Sequence, residues 1–598
     1  MEIARATSQS DGRLPRIDFV AEIEHCPDCG TAMRVGKSRQ RAVATLELGQ
    51  FNARELLKYC PKCVRAPLLG CVALCRLVKP RQHFGYDLIV HVGLARYLRG
   101  MQREEIEEEL HLDHGIVPSS GTISALCDRF LSYLESLHLL RSPYLRAAMA
   151  GGYPLHLDAT CDRGKGGLLV CLDGWRGWVL MAARIDSENP AQMGPVIDKT
   201  VSLFGDPIAS VRDLGEGGAH AVEPLRKRGI PDLICHYHFL AAVGGKLFDQ
   251  PYGSLRSTLR TMRVRTDLRA LLRELREYRK GASHAGRFGS GPVRADLLAL
   301  VHWVLQADST KDAPYPFSLP HFEFVLRCRQ ALERADCWVP CQRSEPERRA
   351  VRRLATLVSR LDRDERIRLA TTRIEQDWRA FCELRDVLRL TNAELPRADE
   401  RPEHQHPLPA VEHQRLQEIK SAVHKYQQQL TARAVVGSKS APGSAEAVIL
   451  KYLKRYGHLL FGHPTRRDET GAIVGIVART NNAIEHFFGR EKQRLRRRLG
   501  RANLGRDLEQ QPAQAALAAN LRHADYVRVL CGSLENLPDA FADLDARPVR
   551  DTAPLVRDHR DSLLDNRVLA LLKSTPCSTS APTRVRTGAS SNSATTVV

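Results

Sequence analysis

Between Tyr153 and Leu240 the apolar residues switch from strand spacing to alternating helix and strand spacing, and this order constrains the fold more than any other part of the chain. YPLHLDATCD, GGLLVCLDG and GWVLMAARID alternate apolar with small or polar residues over short spans broken by glycines. That pattern predicts three consecutive antiparallel strands. ENPAQMGPVIDKTVSLFG then takes helical spacing and ends at Gly205. PIASVRDLGEGG predicts a further strand, AHAVEPLRKRG a helix and PDLICHYHFL a last strand. The expected product is a mixed five-stranded sheet with helices, assigned to residues 151–250.

A chain of 598 residues exceeds one ordinary core, so further domains are expected on both sides. Residues 1–20 form a polar tail. Cys26-Pro27-Asp28-Cys29 and Cys60-Pro61-Lys62-Cys63 then pair as two knuckles around strand-like AMRVGKSR and AVATLELG. Four thiolates so arranged satisfy tetrahedral Zn²⁺, and residues 21–80 are read as a zinc ribbon holding one structural ion. Cys71 and Cys75, in LGCVALCRLV, read instead as small core residues. Residues 81–150 predict a helix over YDLIVHVGLARYLRG, then a short helix over REEIEEELHL, a turn, and a helix capped by Ser119 or Ser120, the last two in the manner of a helix-turn-helix. The acidic run Glu104–Glu109 is expected to face away from DNA.

Residues 251–464 lose the strand signal and predict an all-α insertion, with a capping box at Ser344 and Glu347. Residues 465–535 return to the sheet domain. Residues 536–598 read as a C-terminal extension whose end, STPCSTSAPTRVRTGASSNSATTVV, has the composition of disorder.

Lys and Arg number 89 against 69 Asp and Glu, a net charge of +20, which favours polyanions, nucleic acid first. The N-terminus lacks the apolar stretch of a signal peptide and no run suits a membrane span, so a cytoplasmic, nucleoid-associated protein is expected. Sixteen cysteines, several in CxxC pairs, fit a reducing compartment.

Three acids stand out. Asp158 interrupts the apolar strand LHLDAT, Asp213 ends the strand before Gly215, and Glu485 opens a helix in RTNNAIEHFFGREKQRLRRRLGR. If the fold brings them together, three carboxylates supply the hard oxygens that two Mg²⁺ (or Mn²⁺) ions about 4 Å apart require. Each also has a structural explanation: a solvent-facing strand edge for Asp158, a turn for Asp213, and a capping box from Asn482 for Glu485. After Glu485, Ile484, Phe488, Leu495 and Leu499 form a buried stripe, with Lys492 and Arg496 on the face of Glu485. Arg490, Arg494, Arg497, Arg498 and Arg501 surround the stripe with few acidic neighbours, which points to salt-dependent phosphate binding.

The order LHLDAT, VRDLGEGG, CHYHFL and RTNNAIEHFFGR resembles the DDE transposases of bacterial insertion sequences, especially Mutator-related ones, over residues 150–250 and 465–505. The resemblance implies an RNase H-like core, with Asp158, Asp213 and Glu485 as catalytic magnesium ligands and a helical insertion before the Glu. It also maps a family C-x-x-H motif onto Cys235 and His238; a strand-end pair with no second pair nearby makes a poor zinc site, so a supporting role is expected, with His238 beside the acids positioning a phosphate or water. The implied activity is hydrolytic nicking at terminal inverted repeats and joining of the 3′-hydroxyls to target DNA, by a homo-oligomer on double-stranded DNA. Two other functions fit the same features: a non-catalytic DNA-binding regulator derived from a transposase, and a structure-selective nuclease of the same fold.

Overall fold

The computed structural model describes residues 14–63, 68–160, 167–276, 292–308, 314–338, 345–390, 408–436 and 444–546. These divide into two compact units, one of the described residues within 14–92, 117–136 and 541–546, the other of those within 93–116 and 137–540.

In the first unit, β1 (Arg16–Val20) runs parallel to β3 (Gly49–Tyr59), which pairs antiparallel with β2 (Arg34–Thr45). The expected strands between the knuckles are thus one long hairpin, turned at Gly49 with φ +65°. Its apolar face packs Ile17, Val43, Phe51 and Ala53 against Leu74 and Val78. The helix Leu537–Ala546 enters this unit at Phe541: Phe541 stacks on Tyr133, and Asp545 accepts hydrogen bonds from Tyr86 and Tyr133 and pairs with Lys79. The C-terminal extension therefore begins as ordered structure, because its apolar face finds a core. Its expected disordered end lies outside the described residues.

The first helix expected over residues 81–150 forms as Tyr86–Leu94; the two of the expected helix-turn-helix form as Arg103–His114 and Ser120–Ala148, and Ser119 Oγ accepts from Thr122 N at 3.2 Å as the cap. The second runs for 29 residues, far longer than a short recognition helix. The acidic helix lies in the second unit, whereas the second helix opens among residues of the first.

The second unit holds a five-stranded mixed sheet. β4 (Pro154–Thr160), β5 (Gly167–Asp173) and β6 (Val179–Ile185) are consecutive and antiparallel. β7 (Ala209–Arg212) and β8 (Asp232–Ile234) add parallel strands, giving the order β6-β5-β4-β7-β8. The helix Pro190–Phe204 joins β6 to β7 and ends at Gly205, whose φ of +85° suits glycine. One expectation is corrected. In PDLICHYHFL only Asp232–Ile234 is strand, and a helix starts at His236. The buried positions Phe239, Leu240, Val243 and Leu247 follow helical spacing and override the short β-like run.

From His236 to Tyr456 the described elements are helices, and they share one apolar cluster that includes Phe248, Leu268, Phe324, Phe381 and Ile449. The expected cap at Ser344 lies outside the described residues; the observed break in that stretch is at Asp364, which caps Glu365–Val387. Beyond, β9 (Thr465–Arg467) and β10 (Ile473–Ile476) form a separate hairpin, followed by the basic helix Asn482–Leu499. No helix among the described residues is long and apolar enough to cross a membrane.

Candidate active site

The sheet register brings Asp158 and Asp213 to equivalent positions. β4 and β7 pair in parallel with His156 opposite Val211, so each aspartate stands two residues beyond a matched pair at the same end of adjacent strands. β4 is the middle strand of the sheet, which removes the explanation of Asp158 as an edge residue. Asp213 keeps part of its turn role, since Oδ1 accepts from Gly215 N at 2.9 Å. Its backbone is fixed from behind by Arg212, which makes a buried two-point ion pair with Asp232 and donates to the Asp213 carbonyl at 2.8 Å.

Glu485 reaches this sheet through the segment before its helix. Asn481 is fully buried and links three elements. Its Oδ1 accepts from His156 Nδ1 at 2.8 Å, its Nδ2 donates to the Leu157 carbonyl at 3.2 Å, and its backbone N–H donates to Cys235 Sγ at 3.3 Å. Burial holds the His156 imidazole down at about 4, so it is neutral and presents an Nδ1 proton to Asn481. Arg479, two residues earlier, donates to the carbonyls of Leu388 and Arg389 and so anchors the segment to the helical region. Asn481, not Asn482, is the residue before the helix, so the capping box expected from Asn482 does not form and the Glu485 carboxylate stays available. Here the residue missed in the sequence is Asn481, whose neighbour Asn482 drew attention as a cap.

Asp158 feels both of the other carboxylates. Burial pushes Asp158 up to about 8, and the charges of Asp213, Glu485 and Glu188 push the same way against the N–H of Ala159. Burial also raises Glu485, opposed by His238. A fourth acid, Glu188, was missed in the sequence. It too is raised by burial and by Asp213. Its placement depends on a glycine: a Cβ at Gly217 would fall 1.7 Å from the Glu188 carbonyl, so only glycine lets the loop after Asp213 approach. Like charges gathered in a buried site are unfavourable without a counterion, and a divalent cation is the counterion such oxygens fit.

Cys235 is the residue before the helix His236–Met262 and is wholly buried; His238 follows within the first turn. His238 Nδ1 lies 3.7 Å from Glu485 Oε1, and Cys235, His238 and Glu485 can each bring a ligand atom within 4.8 Å of the others. Burial, with the Glu485 charge, pushes the Cys235 thiol up to about 12.

The basic helix buries Ile484, Phe487, Phe488 and Leu495; Leu499 is only half-buried, and Phe487 takes its place in the stripe. Arg494 pairs with Glu491 and Arg501 with Asp507, so these two expected phosphate contacts are engaged within the protein. Arg490, Arg496 and Arg497 are exposed, and Lys492 and Arg498 are half-buried.

In the first unit, Cys26, Cys29, Cys60 and Cys63 converge with sulfur atoms within 4.8 Å of one another, a group that can hold a structural metal such as zinc. Hydrogen bonding to Thr31 pulls the Cys29 thiol down to about 6, while contacts with Cys29 and Cys60 push Cys63 up to about 12. Cys71 lies outside this group and hydrogen-bonds Glu22 at 3.1 Å.

Compared with known proteins, the chain matches no family model and no curated protein.

Proposed function

We propose that this protein is a DNA transposase of the DDE type, with an RNase H-like core formed by β4–β8 and the helices around them and interrupted by the helical region. The observation that carries the reading is the convergence of Asp158 and Asp213 at matched strand ends with Glu485 from a distant helix. The three acids would hold two magnesium ions, which supply activation of a water or 3′-hydroxyl and stabilisation of the leaving oxygen. Asn481 holds Glu485 against the sheet, and Arg212 holds Asp213. The exposed Arg490, Arg496 and Arg497 offer charge to DNA phosphates on the helix that carries Glu485. The zinc-bound ribbon and the helices over 81–150 would recognise the ends of the element, and a homo-oligomer would pair two ends before joining them to target DNA.

The test is strand cleavage of linear DNA carrying the segments that flank the coding sequence, in Mg²⁺ or Mn²⁺. Wild-type protein should cut at inverted repeats and join the 3′ ends. Asp158→Asn, Asp213→Asn and Glu485→Gln should each lose at least about a thousandfold in rate. Undiminished cleavage in all three variants rejects the site. Cleavage of branched DNA without joining favours a nuclease, and binding without metal-dependent cleavage favours a regulator.

A further inference from the structure

Cys235, His238 and Glu485 carry a second kind of metal chemistry beside the aspartates. One sulfur, one nitrogen and one oxygen lie within 4.8 Å of one another. The 3.7 Å between His238 Nδ1 and Glu485 Oε1 is too long for a hydrogen bond. It is close to the separation of about 3.4–3.6 Å between two ligands bonded to one tetrahedral zinc ion at about 2.0–2.3 Å. Both atoms are shut off from solvent, and neither has a hydrogen-bond partner. Two polar atoms left in that state at one point need a shared partner that the protein itself does not supply.

The local fold explains why the ligands meet. Cys235 precedes the helix and His238 lies three residues on, so one turn sets both side chains toward the same side. Asn481 N–H fixes the sulfur from the segment that delivers Glu485. A thiolate, an imidazole and a single carboxylate are a donor set suited to zinc and other borderline ions, whereas magnesium takes oxygen ligands. Three protein ligands leave a fourth position open.

We propose that Cys235, His238 and Glu485 bind a zinc ion or a similar transition-metal ion, and that this ion draws Glu485 away from Asp158 and Asp213. The binding site stands on its own geometry. The consequence for Glu485 rests on the transposase reading, and there the zinc site acts as an off switch: the ion that occupies it takes the carboxylate magnesium needs.

The test uses the full chain with the four-cysteine site first filled with zinc, then titrated with Co²⁺, whose bond to thiolate gives a charge-transfer absorption. Wild-type protein should take up one further cobalt ion per chain with a thiolate band. Cys235→Ser should lose the band, and His238→Ala should weaken cobalt binding at least about tenfold. Cys75→Ser, which removes a thiol outside the cluster, should keep it. A wild-type chain that gives no cobalt–thiolate band, or a band that survives both Cys235→Ser and His238→Ala, overturns the site. Zinc added at constant magnesium should slow strand cleavage; a rate unmoved by zinc while cobalt binds overturns the switch. Absence of cleavage under every condition counts against the transposase reading and not against the metal site, which the cobalt band decides by itself.

Discussion

The protein assembles two ligand clusters by opposite routes. At the ribbon, four cysteines sit on two knuckles at the ends of one hairpin, and β2–β3 pairing alone brings them together. At the carboxylate site, the acids come from β4, from the loop after β7 and from a helix beyond the whole helical region. No single hairpin can unite those three. The join is made by buried polar groups, Asn481 to His156, Leu157 and Cys235, and Arg212 to Asp232 and Asp213. On the proposed reading the first site would draw its local folding energy from a bound metal, whereas the second is held together by the protein and keeps buried carboxylates that burial pushes toward their protonated form.

Removing zinc tests the first half of that contrast and should have the largest effect. A chelator, or Cys26→Ser with Cys60→Ser, should unfold the ribbon with a loss on the order of 10 kcal/mol of metal-linked folding energy. Zinc content and the thermal unfolding transition report it. An unchanged transition would make the thiols ordinary core residues and erase the comparison.

The same contrast explains what was legible in the sequence. The knuckles were legible because ligand spacing is local, and β4–β6 because alternation is a local property too. Asp158, Asp213 and Glu485 could be singled out by type and order, but spacing could not reveal that β4 is the middle strand or that Val211 pairs with His156. Asn481 and Glu188 were missed because their roles exist only once distant backbone arrives: the Leu157 carbonyl for one, Gly217 for the other. The error at CHYHFL had another cause. A short apolar run fits either period, and the buried spacing of the whole helix decided it.

Asn481→Ala tests whether polar bridges do hold the second site. It leaves His156 Nδ1 and the Leu157 carbonyl buried without that partner. The expected cost is about 2–4 kcal/mol in urea unfolding, with cleavage slowed about 10–100-fold. Full activity in this variant would mean that Glu485 reaches the aspartates by another route.

A smaller effect appears in pH dependence. The folded Asp158 carboxyl titrates near 8 against an ordinary 3.8, so between those values the folded chain holds a proton that the unfolded chain has lost. Its contribution to stability is fully present below about 4 and is lost as the pH rises through about 8; Glu485 and Glu188 shift in the same direction. Protein free of magnesium and carrying zinc in the four-cysteine site alone should therefore lose thermal stability over that window. Asp158→Asn should flatten the curve and stabilise the chain at the upper end by up to a few kcal/mol. A variant with the wild-type slope would show that Asp158 is not the strained group.

The most direct measurement is Mn²⁺ binding to the full chain carrying zinc in the four-cysteine site alone, followed by the paramagnetic resonance of the free ion. The account predicts that wild-type protein binds Mn²⁺ and that Asp158→Asn, Asp213→Asn and Glu485→Gln each weaken it by at least about tenfold, as ligands of one proposed site. Equal Mn²⁺ affinity in wild-type and all three variants would contradict it.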